Sequence, residues 1–172
     1  GTNPMHAPPR TLDDLLLYRT SRLLAVAGSL VIRLCEGRFG ITRREWRLIA
    51  TLAGHGALGS SQLAEQAQLD RARTSRAVTS LVGKGLVSRE QPAGDRRHVL
   101  LSLTAPGRKL HAQLYPLVSS INAELLGALK ADEVALLDDM LQRLHARGEA
   151  MVAAAADLPR ADRRRREASA PR

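Results

Sequence analysis

Between Ala57 and Leu103 the sequence runs ALGSSQLAEQAQLDRARTSRAVTSLVGKGLVSREQPAGDRRHVLLSL. Two short helical segments joined at Gln68-Leu69 lead straight into two apolar strands parted by Gly94-Asp95-Arg96-Arg97. Ser60 or Ser61 caps the first helix, Gln62–Ala67, which turns Leu63 and Ala67 inward. Asp70 caps the second, because its carboxylate accepts backbone N–H groups left free in a first helical turn. That second helix spans Arg71–Lys84. At about 100° per residue, Thr74, Ser75, Val78, Leu81 and Val82 share a core-facing side, and Arg73, Arg76 and Ser80 face solvent. Gly83-Lys84-Gly85 ends it. Leu86 and Val87 begin a strand, Pro92–Asp95 turn the chain, and Val99, Leu101 and Leu103 alternate with Leu100 and Ser102 on the way back.

A helix-turn-helix followed by an arginine-tipped hairpin suits double-stranded DNA. Two outward arginines near a helix N-terminus fit a major groove, where a guanidinium pairs bidentately with guanine or grips phosphate. The hairpin tip sets Arg96 and Arg97 toward the adjacent minor groove, whose narrow A·T-rich stretches attract arginine. Asp95 repels phosphate, so its better role is to position an arginine by a charge-assisted hydrogen bond. Ser61 and Arg71, at the starts of the two helices, complete the candidate contacts with Arg73, Ser75, Arg76, Asp95, Arg96 and Arg97.

Charge agrees. Lys and Arg number 26 against 17 acids, a net +9 over 172 residues, which points to a polyanionic partner. Residues 157–172 contribute +3, so +6 belongs to the body. Aromatics make up only 2%, which favours a helical core of Leu, Val, Ile and Ala and argues against single-strand binding by base stacking. The single cysteine, Cys35, excludes an intrachain disulfide and suits a reducing cytoplasm. No apolar run approaches the ~20 residues of a membrane helix, and no secretory signal pattern is present. Gly1–Pro4 read as an expression remnant ahead of a start at Met5.

Around the central stretch lie long helical stripes. Leu12, Leu16, Arg19, Leu23, Val26, Leu30 and Leu34, widened by Leu15, Leu24, Ala27 and Val31, predict a helix from Leu12 to Glu36, ended by Gly37 and Gly40. Thr42-Arg43-Arg44-Glu45 has capping-box form and opens a helix that buries Trp46, Ile49, Ala50, Leu52 and Ala53 and ends at Gly54-His55-Gly56. Thr104 caps a fifth helix, with Pro106 in its first turn, a stripe from Leu110 to Leu129, and Pro116 placed to kink it. A sixth starts near Ala131 with Asp132 and Glu133 in its first turn. The predicted organisation is an arm and helix over residues 5–36, a winged module over 37–103, paired helices over 104–156 and a disordered basic tail over 157–172.

The order TRREWRLIATLAGHG, SSQLAEQAQLDRARTSRAVTSLVGKGLVSRE and GDRRHVLLSLTAPGR, with Asp95-x-Arg97, Leu103-Thr104 and Gly107, resembles the MarR family of bacterial transcriptional regulators over residues 12–155. The resemblance implies a mainly α fold with a small β-hairpin wing, a winged helix-turn-helix embedded in a helical homodimer whose first and last two helices interdigitate. It places Ser75 and Arg76 as the recognition-helix pair, Arg97 as the wing contact and Asp95 as its stabilising acid. It implies a non-enzymatic repressor on a pseudo-palindromic operator. A small aromatic carboxylate or phenol would release the repressor, as in the branch that controls breakdown of nicotinate and related aromatic acids. No cofactor is implied.

The family's effector pocket lies between the dimer helices and the DNA-binding module. Arg19 interrupts the first stripe, Tyr18 and Arg22 stand four apart, and Trp46 starts the second helix. An arginine with an aromatic wall suits a flat carboxylate; His6 joins it if the arm folds back. The alternative is a thiol-based redox repressor using Cys35, although Cys35 stands at the end of its helix, away from the helix N-terminus that activates thiolates. The five histidines (6, 55, 98, 111 and 145) lack metal-ligand spacing, and no nucleophile–base set or Walker loop supports an enzyme.

Overall fold

The computed structural model describes residues 8–95, 98–155 and 157–159. His6, Arg96, Arg97 and most of the basic tail lie outside the described residues. The chain divides into two units, Gly1–Leu125 and Leu126–Arg172.

The first unit holds a 3₁₀ turn at Leu12–Asp14, then α1 (Leu16–Arg38), α2 (Arg43–His55), β1 (Leu58–Gly59), α3 (Ser60–Gln66), α4 (Arg71–Gly83), β2 (Val87–Glu90), β3 (Leu100–Leu103) and most of α5 (Ala105–Leu126). The second holds α6 (Ala131–Ala154). The architecture is mainly helical with one small antiparallel sheet of order β1-β3-β2. The core gathers Leu48, Ile49 and Leu52 from α2, Leu63 from α3, Val78 and Leu81 from α4, Leu101 and Leu103 from β3, and Leu114 from α5. Leucine, isoleucine and valine fill most of it, with Cys35, Trp46, Ala67 and Ala77 completing it.

Several boundaries differ from the sequence-based expectation. The first helix starts at Leu16, because Thr11 turns its N–H and hydroxyl onto the Asp14 carboxylate at 2.9 and 3.2 Å and closes a separate turn. Such local side-chain bonds compete with helix, and Leu15 is left extended between the two. At the other end α1 continues through Gly37 to Arg38, and Gly40, with φ +66°, makes the reversal. Neither Ser60 nor Ser61 caps α3. Both lie inside it, Gly59 is the cap residue, and the Gln62 carboxamide accepts the Gly59 N–H at 3.0 Å. The cause is β1: Leu58 pairs with Leu101 and Gly59 with Leu100, so the wing is a three-stranded sheet rather than a two-stranded hairpin. On α4, Ser75 is exposed and Ala77 takes the buried place assigned to it. α5 runs through Pro116 as one helix and ends at Leu126, short of Leu129.

The junction between sheet and α5 is tightly specified. Thr104 donates its backbone N–H to Leu86 O at 3.1 Å and its hydroxyl to Gly85 O at 2.6 Å, and its hydroxyl oxygen accepts the Gly107 N–H at 3.1 Å. Gly107 packs directly on the Leu86 carbonyl, where any Cβ would overlap a backbone oxygen. Gly107→Ala should therefore destabilise the fold by about 3 kcal/mol, near the top of the range for overpacking, since a backbone atom cannot swing aside. Gly37→Ala, in open space within α1, should leave stability unchanged or raise it by up to about 1 kcal/mol. Urea denaturation of both variants checks the contrast.

Candidate nucleic-acid interface

The turn between α3 and α4 is built from short-range bonds. Gln68 takes φ +57°, Leu69 N–H returns to Ala64 O at 3.0 Å, and the Asp70 carboxylate accepts Arg73 N–H at 2.8 Å. Asp70 thus caps α4 as its residue type predicts. Burial of Thr74, Ala77, Val78 and Leu81 fixes the helix rotation and leaves Arg71, Ser75 and Arg76 exposed on the outer side. Arg73 lies half-buried, its Nε 3.3 Å from Asp70 Oδ2. Arg89 of β2 donates to Thr79 Oγ1 at 3.1 Å and ties the wing to α4.

At the base of the wing, Val87 pairs with Leu103 and Glu90 with Leu100, and the Ser88 and Ser102 hydroxyls meet at 3.1 Å. Gly94, with φ +90°, closes the tip. Asp95 lies 2.6 Å from His98 Nδ1, a partner not foreseen from sequence. Ser61 is exposed in the first turn of α3.

Behind α4 sits a buried carboxylate that sequence showed only as a cap. Glu45 is 2% exposed. Its oxygens accept Thr42 N–H at 2.9 Å, Ser80 Oγ at 3.1 Å and Lys84 Nζ at 2.9 and 3.1 Å, and Lys84 also donates to Gly40 O at 2.9 Å. Burial alone would raise the Glu45 pKa. The Thr42 N–H, Lys84 and Ser80 hydrogen bonds, with the Lys84 charge, outweigh it and hold the carboxyl below its ordinary value.

Two clefts flank α2. One, of about 490 Å³, is lined by Arg43 and Arg44 of α2 and Arg73 and Arg76 of α4, with Glu36 and Ser80. The other, of about 430 Å³, is lined by Val31, Arg43, Trp46, Arg47, Ala50 and His55. Trp46 stacks on His111 of α5 with ring centroids 5.6 Å apart, and Tyr115 lies 5.3 Å from His111 and 6.4 Å from Trp46. Sequence reasoning found Trp46 and missed His111 and Tyr115, whose i,i+4 spacing on α5 was the available signal.

The arginine expected beside Trp46 is elsewhere in the chain. Val31 is the α1 residue at the tryptophan cleft, and Arg19 precedes it by about 18 Å of helix at 1.5 Å per residue. Tyr18 and Arg22 do approach each other, with the guanidinium 6.0 Å from the ring centroid, but Arg22 is bonded to Asp13 at 3.1 Å. One chain therefore does not bring Arg19 or Arg22 to Trp46.

Residues 41–99 match the MarR family. The chain is 36% identical to the HTH-type transcriptional regulator FarR of Neisseria gonorrhoeae over 104 residues, 60% of this chain and 71% of that protein. The chain belongs to the MarR family. It is accordingly a non-enzymatic, DNA-binding transcriptional regulator. Two solved MarR-type structures share its fold. A mutant MarR from E. coli complexed with operator DNA superposes with a TM-score of 0.65 at 25% identity, covering 79% of this chain and 99% of that one. NadR in complex with 4-hydroxyphenylacetate superposes with a TM-score of 0.60 at 30% identity, covering 83% and 97%.

Cys35 is a poor redox sensor for this MarR-family chain. It is fully buried. Burial, aided by Glu36, raises its pKa against smaller opposing effects of Arg43 and a backbone hydrogen bond, so the reactive thiolate is disfavoured. Among the described residues no cluster of His, Cys, Asp and Glu is arranged to hold a metal, and no helix is long and apolar enough to cross a membrane.

The Glu45 knot predicts an acid-dependent stability. With its pKa depressed in the fold, its contribution is full above the unfolded-state value and is lost as pH falls through the folded-state value. Glu45→Gln should cost about 2 kcal/mol at neutral pH, the scale of hydrogen bonds to a charged group. The difference from the parent should vanish in strong acid. Denaturation midpoints measured across pH check it, and a constant difference at every pH would contradict it.

Proposed function

We propose that this regulator is a homodimeric repressor that binds a pseudo-palindromic operator in the cytoplasm and is released by a small aromatic acid or phenol. The observation that carries the proposal is the juxtaposition on α2. Glu45 is bonded to Ser80 and Lys84 at the end of α4, and the next residue, Trp46, walls the aromatic cleft. A flat ligand in the cleft beside Trp46, whose ring is backed by His111, acts on the same helix turn that seats the recognition helix. The complexes of MarR with operator DNA and of NadR with 4-hydroxyphenylacetate support both halves of this reading by analogy.

In this reading residues 37–103 form the DNA-binding module and residues 5–36 and 104–156 the dimer helices. Ser75 and Arg76 meet base edges, with Arg73, Arg71 and Ser61 beside them. Asp95, Arg96 and Arg97 serve the wing. Dimerisation is supported by apolar exposure. In the first unit Leu17 is 82% exposed and Val26 74%, and Leu23, Leu24 and Leu30 are open. On α6, Leu136, Leu141, Leu144 and Met151 are open as well. Apolar patches of this extent mark association surfaces, and a two-fold dimer would set two α4 helices at half-sites about one DNA turn apart.

Fluorescence anisotropy with duplex DNA from upstream of the coding sequence tests the proposal, with titration by benzoates, nicotinates and hydroxyphenylacetates at fixed salt. At least one of these acids should release the DNA. Arg76→Ala should weaken operator binding by about 10- to 100-fold, the loss expected for a base-contacting arginine, and reduce discrimination against unrelated DNA. Trp46→Phe, which keeps a ring in this buried place, should keep DNA affinity and weaken the ligand response. Tight DNA binding that no aromatic acid or phenol disturbs at millimolar concentration would refute the effector half.

A further inference from the structure

We propose that the cleft between the first turn of α2 and α4 seats a backbone phosphate of the bound DNA, gripped by Arg44 together with Arg76 and backed by Arg43. This assigns α2 a DNA contact beyond the helix-turn-helix and wing, and it rests on the reading of α4 as the recognition helix.

The charges in the cleft are unbalanced. Four guanidinium groups, from Arg43, Arg44, Arg73 and Arg76, face two carboxylates, from Glu36 and Glu45. Glu45 is already neutralised by Lys84, and Arg73 is paired with Asp70. Among the described residues Arg44 and Arg76 are exposed and make no side-chain hydrogen bond or ion pair. Arg43 makes none either. Its guanidinium packs against Gly28 of α1, where an added Cβ would meet Nη1 at 3.2 Å, so it is fixed as the rear wall. Three cations without partners around one trough attract an anion. Arg76 also lies on the outer side of α4. An occupant touching both Arg76 and Arg44 therefore belongs to the strand bordering the groove that α4 enters, and on that strand the group at this position is a phosphodiester. A free phosphate-bearing molecule shares the chemistry and is the competing occupant.

A phosphate contact acts on all sequences alike and through released counterions. Operator and unrelated duplexes should be titrated with the full-length parent, Arg44→Ala and Arg76→Ala between low and physiological salt, with melting curves confirming that both variants fold. Arg44→Ala should weaken both duplexes equally, by about fivefold per half-site near 0.15 M salt, and flatten the log–log salt slope by about one per half-site. Arg76→Ala should flatten the slope as well and, because Arg76 also meets base edges, should in addition lose discrimination between the duplexes. If Arg44→Ala keeps the parental slope while Arg76→Ala loses discrimination, the phosphate site is wrong and the recognition helix stands. If both behave as the parent, the recognition reading fails and this site with it. Inorganic phosphate at constant ionic strength provides the other arm. Tight binding of the ion itself, dependent on Arg44, with a parental DNA salt slope, would make the cleft a small-anion site and overturn the proposal.

Discussion

The bond between Glu45 and Lys84 spans 39 residues and joins the parts of the molecule that must keep register. A carboxylate removed from water is costly unless its partners are well placed. Here the α2 backbone, the Ser80 hydroxyl and the lysine supply them, and the lysine's remaining capacity goes to the carbonyl of Gly40. Burial of Thr74, Ala77, Val78 and Leu81 fixes the rotation of α4, and directional bonds to one carboxylate hold its C-terminal end in register with α2, so its outer face is presented at a set rotation. The exposure of Arg76 follows from the same placement.

How far this was legible depends on the distance over which each signal acts. The Thr42–Glu45 and Asp70 caps were readable because each closes within three residues. That Glu45 serves a second purpose was not, since Lys84 and Ser80 meet it only after the chain has folded back. β1 escaped notice because two residues cannot display alternation, and its pairing with β3 displaced the serine cap that the local sequence favoured. The first helix was drawn too long because Leu12 and Leu15 continue its stripe, and periodicity is blind to the Thr11–Asp14 bonds that close a separate turn. Trp46 was visible as the lone tryptophan, whereas His111 and Tyr115 were hidden in a stripe of leucines.

The Thr104–Gly107 junction shows what the motif residues do physically. The threonine hydroxyl bridges Gly85, just after α4, to the start of α5, and the missing side chain at Gly107 lets that helix lie on the Leu86 carbonyl. The sheet is thereby fastened to α5, the helix that carries His111 and Tyr115. The aromatic cluster is consequently connected to α4 and the wing along two routes. One runs through Trp46 and Glu45 on α2, the other through α5 and the base of the wing.

Two routes into one rigid unit limit how regulation can work. Under the proposed function, a ligand in the cleft beside Trp46 would shift α2 and carry Arg43, Arg44 and the Glu45 knot with it. The free energy available is the difference in ligand affinity between the two arrangements. Coupling of about 1–3 kcal/mol is typical, no more than a single set of charged hydrogen bonds contributes. The proposed linkage would also be reciprocal: operator DNA would weaken effector binding by the same factor as effector weakens DNA binding. Because α2 borders both the Trp46 cleft and the arginine-lined cleft, with Arg43 lining each, the proposed effector would act on the DNA-binding side through a small displacement of that one helix, without unfolding either site.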